Sequence, residues 1–258
     1  MKTKIVFTQA IVRKPSKSYI NGLTTSDLGK PDHELTLKQH AGYVEALERC
    51  CIKVFVLEAD EDFPDSCFVE DPAIITEKVT IITNPGAPSR NGEKKVMKEV
   101  LKEHVEKFEE MQGPGTLDGG DVFRAGDHFF IGLSKRTNQA GAEELKAILA
   151  KYGYTCTFVP ITRLFHLRTG SSFIGNNNVV VAGELIGNGA FEGYNQIPVK
   201  DEESYSSNCI WVGDTVIMAK GFADTKEKVE KAGYKIVEVE ISEFQKQDGG
   251  LTCLSLRF

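Results

Sequence analysis

Cys253 in QDGGLTC, His166 in FHLRTGSS and a scatter of carboxylates between apolar runs are the residues of this chain that could do chemistry. The carboxylates are Asp62, Asp65, Glu70 and Asp71 in DFPDSCFVEDP, Asp118 and Asp121 in GPGTLDGGD, and Asp248, with Arg168 two residues past the histidine. A thiolate attacks electron-poor carbon, an imidazole moves protons, and a carboxylate orients the imidazole or holds a cation. The carboxylates outnumber what orientation needs. Paired carboxylates match a planar cation with several N–H donors, such as a guanidinium, through bidentate hydrogen bonds. A guanidinium bound beside Cys253 would favour its thiolate. A papain-like Cys/His amidase fits less well, because it needs fewer acids and its signature around the cysteine is absent.

These residues need a scaffold, and the hydrophobic pattern supplies one. AIITEKVTIITNPG (73–86) reads as strand, turn and strand, followed by a helix from Glu93 whose face holds Met97, Val100, Leu101, Val105 and Phe108. DVFRAGDHFFIGL (121–133) repeats the hairpin, then helix AGAEELKAILAKYG and strand TCTFVPI. SFIGNNNVVVAG and CIWVGDTVIMAKG repeat it again, the latter continuing into helix TKEKVEKAGY and strand KIVEVEI. A fifth copy is split: CLSLRF supplies its first strand and KIVFTQA its second, before helix TLKQHAGYVEALERC and strand IKVFVLE. Five ββαβ units of 35 to 50 residues suit a radial arrangement closed by the split copy, and the whole of 1–258 is expected to form one domain. A two-layer α/β sandwich is the alternative. In a closed ring the joints before each hairpin converge at one end of the axis, so Cys253, His166 and the acids should meet there. Gly249 and Gly250 let the chain turn tightly just before the thiol.

Composition narrows the partners. A net charge of −6 argues against nucleic acid and anionic membrane, both of which need a basic footprint. No apolar run is long enough to cross a bilayer, MKTKIVFTQA is too short for a secretory signal, and a cytoplasmic protein is expected. The six cysteines show no metal-site or disulfide spacing and read as reduced thiols.

Six stretches, in order, NGLTTSDLGKPD, FPDSCFVEDP, NPGAPSRNGE, HLRTG, ESYSSNCIWV and DGGLTCLSLRF, resemble the dimethylarginine dimethylaminohydrolase family of the guanidino-group-modifying, amidinotransferase-like superfamily. The resemblance covers essentially the whole chain. It implies a five-fold pseudosymmetric α/β propeller that hydrolyses Nω-methylated arginines to citrulline and methylamine or dimethylamine, without a required metal or organic cofactor. Carried over, Cys253 is the nucleophile, His166 the general acid and base, and Asp118 orients His166. Glu70, Asp71 and Asp118 line a guanidinium pocket, Arg90 and Arg136 hold the substrate α-carboxylate, and Asp65 lies near its α-amino group. Leu23 belongs to a loop over the site, and the position of Gln247 binds substrate through its backbone carbonyl beside Asp248.

This chain departs from the pattern in places. Some members carry Glu where Asp118 stands, and Gln247 replaces a common aliphatic residue, which leaves substrate preference open. Taken singly, His166 between Phe165 and Leu167 reads as a core histidine on a strand, and Arg90 and Arg136 as surface arginines. The segment from Arg13 to Asp32 reads as a connector or a lid. An arginine deiminase or amidinotransferase is the nearest rival, although deiminases usually carry Asp where Arg168 stands. A non-catalytic binding propeller is the rival of another class. The sequence leaves open whether the protein is a monomer or a homodimer.

Overall fold

The computed structural model describes residues 5–258. Three elements open the chain: β1 (Gln9–Arg13), α1 (His33–Arg49) and β2 (Lys53–Leu57). Next come β3 (Ala73–Ile75), β4 (Thr80–Ile82), α2 (Glu93–Leu101) and β5 (Phe108–Glu110), then β6 (Val122–Ala125), β7 (His128–Leu133), α3 (Gln139–Lys151) and β8 (Thr155–Pro160). The rest is β9 (Ser171–Phe173), β10 (Asn178–Val181), β11 (Asn195–Pro198), β12 (Ile210–Val212), β13 (Thr215–Ala219), α4 (Ala223–Lys231), β14 (Lys235–Val239), α5 (Ser242–Gln245) and β15 (Leu256–Arg257).

These strands form five three-stranded sheets. Each has a middle strand that pairs antiparallel with the strand before it and parallel with the strand after the crossover, as β7 does with β6 and β8. The split sheet has the same pattern: Ala10 pairs with Arg257 antiparallel and with Val54 in parallel.

Side chains alternate between faces along a strand, and the middle strands use both faces. In β7, Phe129 and Ile131 enter one core cluster and Phe130 the next. Val179 and Val181 of β10 join the second of these, while Val180 turns to a third with Val216 and Met218 of β13. Ile217 of β13 meets Ala10 and Val12 of β1 in a fourth, and Ile11 of β1 meets Ala73 and Ile82 in a fifth. Every sheet thus shares a core with both neighbours, and the ring closes as a pseudo-fivefold α/β propeller. Each fully buried Ile, Leu, Val or Phe contributes about 1.5–3 kcal/mol.

Four details differ from the sequence reading. The second strand of the split module is Gln9–Arg13, while KIVFTQA precedes or only enters it; Lys4 lies outside the described residues and Ile5–Thr8 carry no strand. Backbone bonds from Thr8 and Gln9 to the Phe258 carbonyl set that register. The closing strand is Leu256–Arg257, and Cys253 sits on a single 3-10 turn, Leu251–Leu254. α2 stops at Leu101, so Val105 and Phe108 reach their core from a loop and from β5. The β10–β11 crossover holds two 3-10 turns where the other modules have an α-helix. Gly183, Gly187 and Gly193 all take positive φ there, which suits turns and interrupts a helix. No described helix is long and apolar enough to cross a membrane.

Candidate active site

The inner strands β3, β6, β9, β12 and β15 surround the axis, and each is preceded by a joint at the same end of the ring. The joint 62–72 ends in Glu70 and Asp71, whose backbone tracks the turn that carries the thiol: Glu70 N–H donates to the Cys253 carbonyl at 3.3 Å. That turn is braced from the fourth joint. The Asn208 side chain accepts from Thr252 N–H (2.9 Å) and donates to its hydroxyl (3.1 Å) and to the Arg168 carbonyl (3.1 Å). Gly249 and Gly250 are needed for close approach more than for the turn itself. A Cβ on Gly250 would fall 2.4 Å from Asn208 Cγ, and one on Gly249 2.4 Å from the Phe68 ring.

His166 has extended backbone and caps the 3-10 turn Leu167–Thr169, so it is not on a strand. Asp121, fully buried, holds the next residue in place: one oxygen accepts from Leu167 N–H (2.9 Å), the other from the Ser134 hydroxyl (2.6 Å). The imidazole Nε2 meets Asp118 Oδ2 at 3.0 Å, and Asp118 Oδ1 accepts from Gly86 N–H at 2.7 Å. Gly120 lets the chain pass against the ring, since a Cβ there would lie 2.6 Å from His166 Nδ1 and 3.0 Å from Asp71 Oδ1.

Cys253, His166, Asp71 and Asp65 line one small cavity, as do Leu23, Arg90, Arg136, Gln247 and Asp248. About 20 Å³ of it is free, the room of a single water. The segment after β1 closes it. Leu23 N–H donates to Asp65 Oδ1 (3.0 Å), Thr25 N–H to Asp248 Oδ2 (2.5 Å), and the Thr24 hydroxyl to the Lys246 carbonyl (2.9 Å). Asp248 makes its contacts from a left-handed backbone, φ 55°.

Two expected pocket residues lie elsewhere. Asp118 is fully buried and does not line the cavity, meeting it through His166 and Arg136. Glu70 does not line the cavity with Cys253: it shares a turn with Asp71, and its carboxylate is committed to other partners. It pairs with Arg168 Nη1 (2.8 Å) and accepts from the Thr252 hydroxyl (2.9 Å).

The arginines also differ. Arg90, 5% exposed, is no surface arginine, and its donors are committed: Nε and Nη2 to Glu93 (2.9 and 2.7 Å), Nη2 to the Phe68 carbonyl (2.9 Å), Nη1 to Asp71. It fixes Asp71, whose other oxygen accepts from Gly120 N–H at 2.9 Å. Arg136 is freer, stacked over Phe165 at 5.0 Å with Nη1 3.7 Å from Asp118 Oδ2. The Gln247 amide oxygen is buried with no hydrogen-bond partner among the described residues. Asn208, Thr252 and Glu93 had no signal as site-builders in the sequence beyond lying in or near the joints.

The charges set the resting protonation states. Burial, then the neighbouring Glu70 and Asp71 carboxylates, push the Cys253 thiol up to about 12. Burial pulls His166 down, but Asp121, the bond to Asp118 and the charge of Asp71 outweigh it and raise it to about 9. Burial works against the Asp118 carboxylate too, yet His166 and Arg90 hold it below its ordinary value. The empty site therefore holds a neutral thiol beside an imidazolium. Asp71, Asp118 and His166 bring ligand atoms within 4.8 Å of one another, a spacing a metal ion could bridge. Arg90, Gly120 and Gly86 already occupy the carboxylate oxygens, and His166 is held as a cation, so the donors do not fit a metal.

The chain is similar to known proteins over nearly its whole length. The family model for eukaryotic N,N dimethylarginine dimethylhydrolase matches residues 21–256. The N(G),N(G)-dimethylarginine dimethylaminohydrolases of Pseudomonas aeruginosa and Streptomyces coelicolor are 44% and 34% identical, over 98% and 96% of this chain and 100% and 96% of theirs. The solved structure of a cysteine-to-serine mutant of the Pseudomonas enzyme, complexed with citrulline, superposes with a TM-score of 0.96, covering 98% of this chain and all of that one at 44% identity. The N-terminal domain of ArgZ, a cyanobacterial arginine dihydrolase, shares the fold at 18% identity, with a TM-score of 0.87 over 96% of both chains. On the family model and these two relatives together, the chain belongs to the dimethylarginine dimethylaminohydrolase family.

Proposed function

We propose that this protein hydrolyses Nω-methylated arginines, asymmetric dimethylarginine and monomethylarginine, to L-citrulline and dimethylamine or methylamine. The observation that carries this reading is the meeting of Cys253 and His166 in one cavity walled by the Asp71 and Asp65 carboxylates. A guanidinium entering there adds positive charge beside the thiol, so thiolate forms only with substrate in place, its proton passing to solvent. The His166 imidazolium is already protonated to serve the leaving group.

Cys253 Sγ adds to the guanidinium carbon, and His166 gives its proton to the methylated nitrogen, which leaves as neutral amine. A covalent S-alkylthiouronium remains on Cys253. His166, now neutral, takes a proton from water; the resulting hydroxide adds to the same carbon, the C–S bond breaks, and the proton of the new hydroxyl returns to the Cys253 sulfur as citrulline is released. Asp118 holds the imidazole and Asp71, locked by Arg90, holds the cation for both displacements. Arg136 takes the substrate α-carboxylate, the role Arg90 cannot fill while bound to Asp71 and Glu93. Asp65 faces the α-amino group, and the unpartnered Gln247 amide oxygen adds an acceptor for a substrate N–H. Leu23 and its neighbours must lift for entry, since the free space is far below the size of an arginine.

Residues 1–258 act as one catalytic unit in this reading. The partner is a small cationic substrate, and a reducing compartment such as the cytoplasm suits a nucleophilic thiol. The test is release of citrulline and amine from asymmetric dimethylarginine and from arginine, by wild type and Cys253→Ser. Citrulline and dimethylamine, lost on substitution, is the expected result. Comparable ammonia release from arginine would place the activity with deiminases, and no product from either would sink the hydrolase reading.

A further inference from the structure

Behind the Glu70–Arg168 pair the five inner strands enclose a second cavity, with about 120 Å³ free. Arg124, Arg168 and Arg257 face it, and each keeps a buried N–H without a hydrogen-bond partner among the described residues: Nη2 of Arg124, and Nε of Arg168 and of Arg257. Three carboxylates stand against these three cations. Glu70 takes Arg168 Nη1 at 2.8 Å, Glu77 takes Arg124 Nη1 at 2.6 Å, and Asp127 lies 3.9 Å from Arg124 Nη2. Two of the three therefore serve one arginine, and among the described residues no ion pair reaches Arg257. Its guanidinium lies 4.8 Å over the Phe7 ring, and Nη1 reaches only the Trp211 carbonyl at 3.3 Å. Burial, and then the charge of Arg168, pull it down to about 10.

A part-buried cation with an unpartnered buried N–H and no ion pair of its own among the described residues is costly, and a guanidinium fork matches a carboxylate or phosphate. The free volume is several times that of the nucleophile's cavity, room for a small ion and too little for a nucleotide. We propose that this axial cavity is a binding site for a small oxyanion of phosphate or short-carboxylate size, held by Arg257 and Arg168 on the far side of Glu70 from the nucleophile.

The site is linked to the thiol. Glu70 joins Arg168 on one oxygen and Thr252, the neighbour of Cys253, on the other. An anion here adds negative charge on the same side as Glu70 and draws on Arg168, and both disfavour the Cys253 thiolate. Bound oxyanion therefore slows Cys253.

The probes are inorganic phosphate and acetate, titrated at constant ionic strength against chloride, with melting temperature and the rate of Cys253 alkylation by iodoacetamide as readouts. Wild type should melt higher in at least one probe, with alkylation slowed about threefold. Which probe acts at lower concentration separates phosphate from carboxylate. Arg257→Met should lose both responses. A selenate soak of wild-type crystals locates the ion without any variant, with an anomalous peak expected between Arg257 and Arg168. No response to either probe, a response that survives Arg257→Met, or selenate found only beside Arg136 would each overturn the proposal. Activity toward methylarginine does not enter these readouts, so the two readings fail separately.

Discussion

The two ends of the propeller axis are built from the same five strands yet carry opposite electrostatics. At the joints, Asp65 and Asp71 close over about 20 Å³ and Arg90 is fully engaged; beyond Glu70, three arginines surround about 120 Å³ with donors unfilled. One residue step separates them. Asp71 lines the cavity of the nucleophile and Glu70 the axial cavity, from neighbouring positions of one turn. A ring of short strands can thus keep two chemically distinct chambers a few ångströms apart, with a single ion pair as the wall.

The largest test of that division is at the joint end. His166→Asn should cut turnover about 10³-fold. It should also flatten a pH effect. His166 is raised from 6.5 to about 9 in the folded protein, so its contribution to stability is whole below pH 6.5 and lost as pH climbs through 9. Melting curves at pH 6 and 9.5 should differ more for wild type than for the variant; equal differences would mean that the imidazolium is not held as described.

Gly120→Ala comes next. Its methyl group would press on His166 Nδ1 and Asp71 Oδ1 together, and a displacement of that kind costs about 10²-fold in kcat. A kcat near wild type would show that the ring and the carboxylate have slack. Gln247→Leu should raise KM about fivefold, the worth of one hydrogen bond, while kcat changes little. An unchanged KM would return the substrate contact at this position to the backbone.

The smallest effect probes the wall itself. Glu70→Gln removes a negative charge beside Cys253 and leaves Arg168 unpaired, so the thiol should ionise more easily and alkylate about threefold faster at pH 8. Slower alkylation would mean that Glu70 acts on the thiol through position and not through charge.

Much of this division was legible before any coordinates. Joints in equivalent places of a repeat announced where Cys253, His166 and Asp71 would meet, and ordered motifs named the family. The family resemblance puts Glu70 in the guanidinium pocket with Asp71, whereas in the folded turn it lines the axial cavity and pairs with Arg168, because motif order does not say which way a turn residue's carboxylate points. Arg90 taken singly reads as a surface residue because arginines are mostly exposed, and its burial against Asp71 and Glu93 appears only in the fold. The 3-10 crossover after β10 was foreshadowed only by its glycines. The second chamber had no local signal, since Arg124, Arg168 and Arg257 come from three modules and meet only through closure.

Closure has its own consequence for how the molecule forms. The sheet that completes the ring pairs Ala10 with Arg257, among the most distant contacts a chain of this length can make. Until those strands meet, the β1 face that joins β13 and the one that joins β4 both stand open. An unclosed ring is therefore a sticky one, with two apolar edges ready to capture another copy, and folding at high protein concentration becomes a race between the chain's own ends and its neighbours.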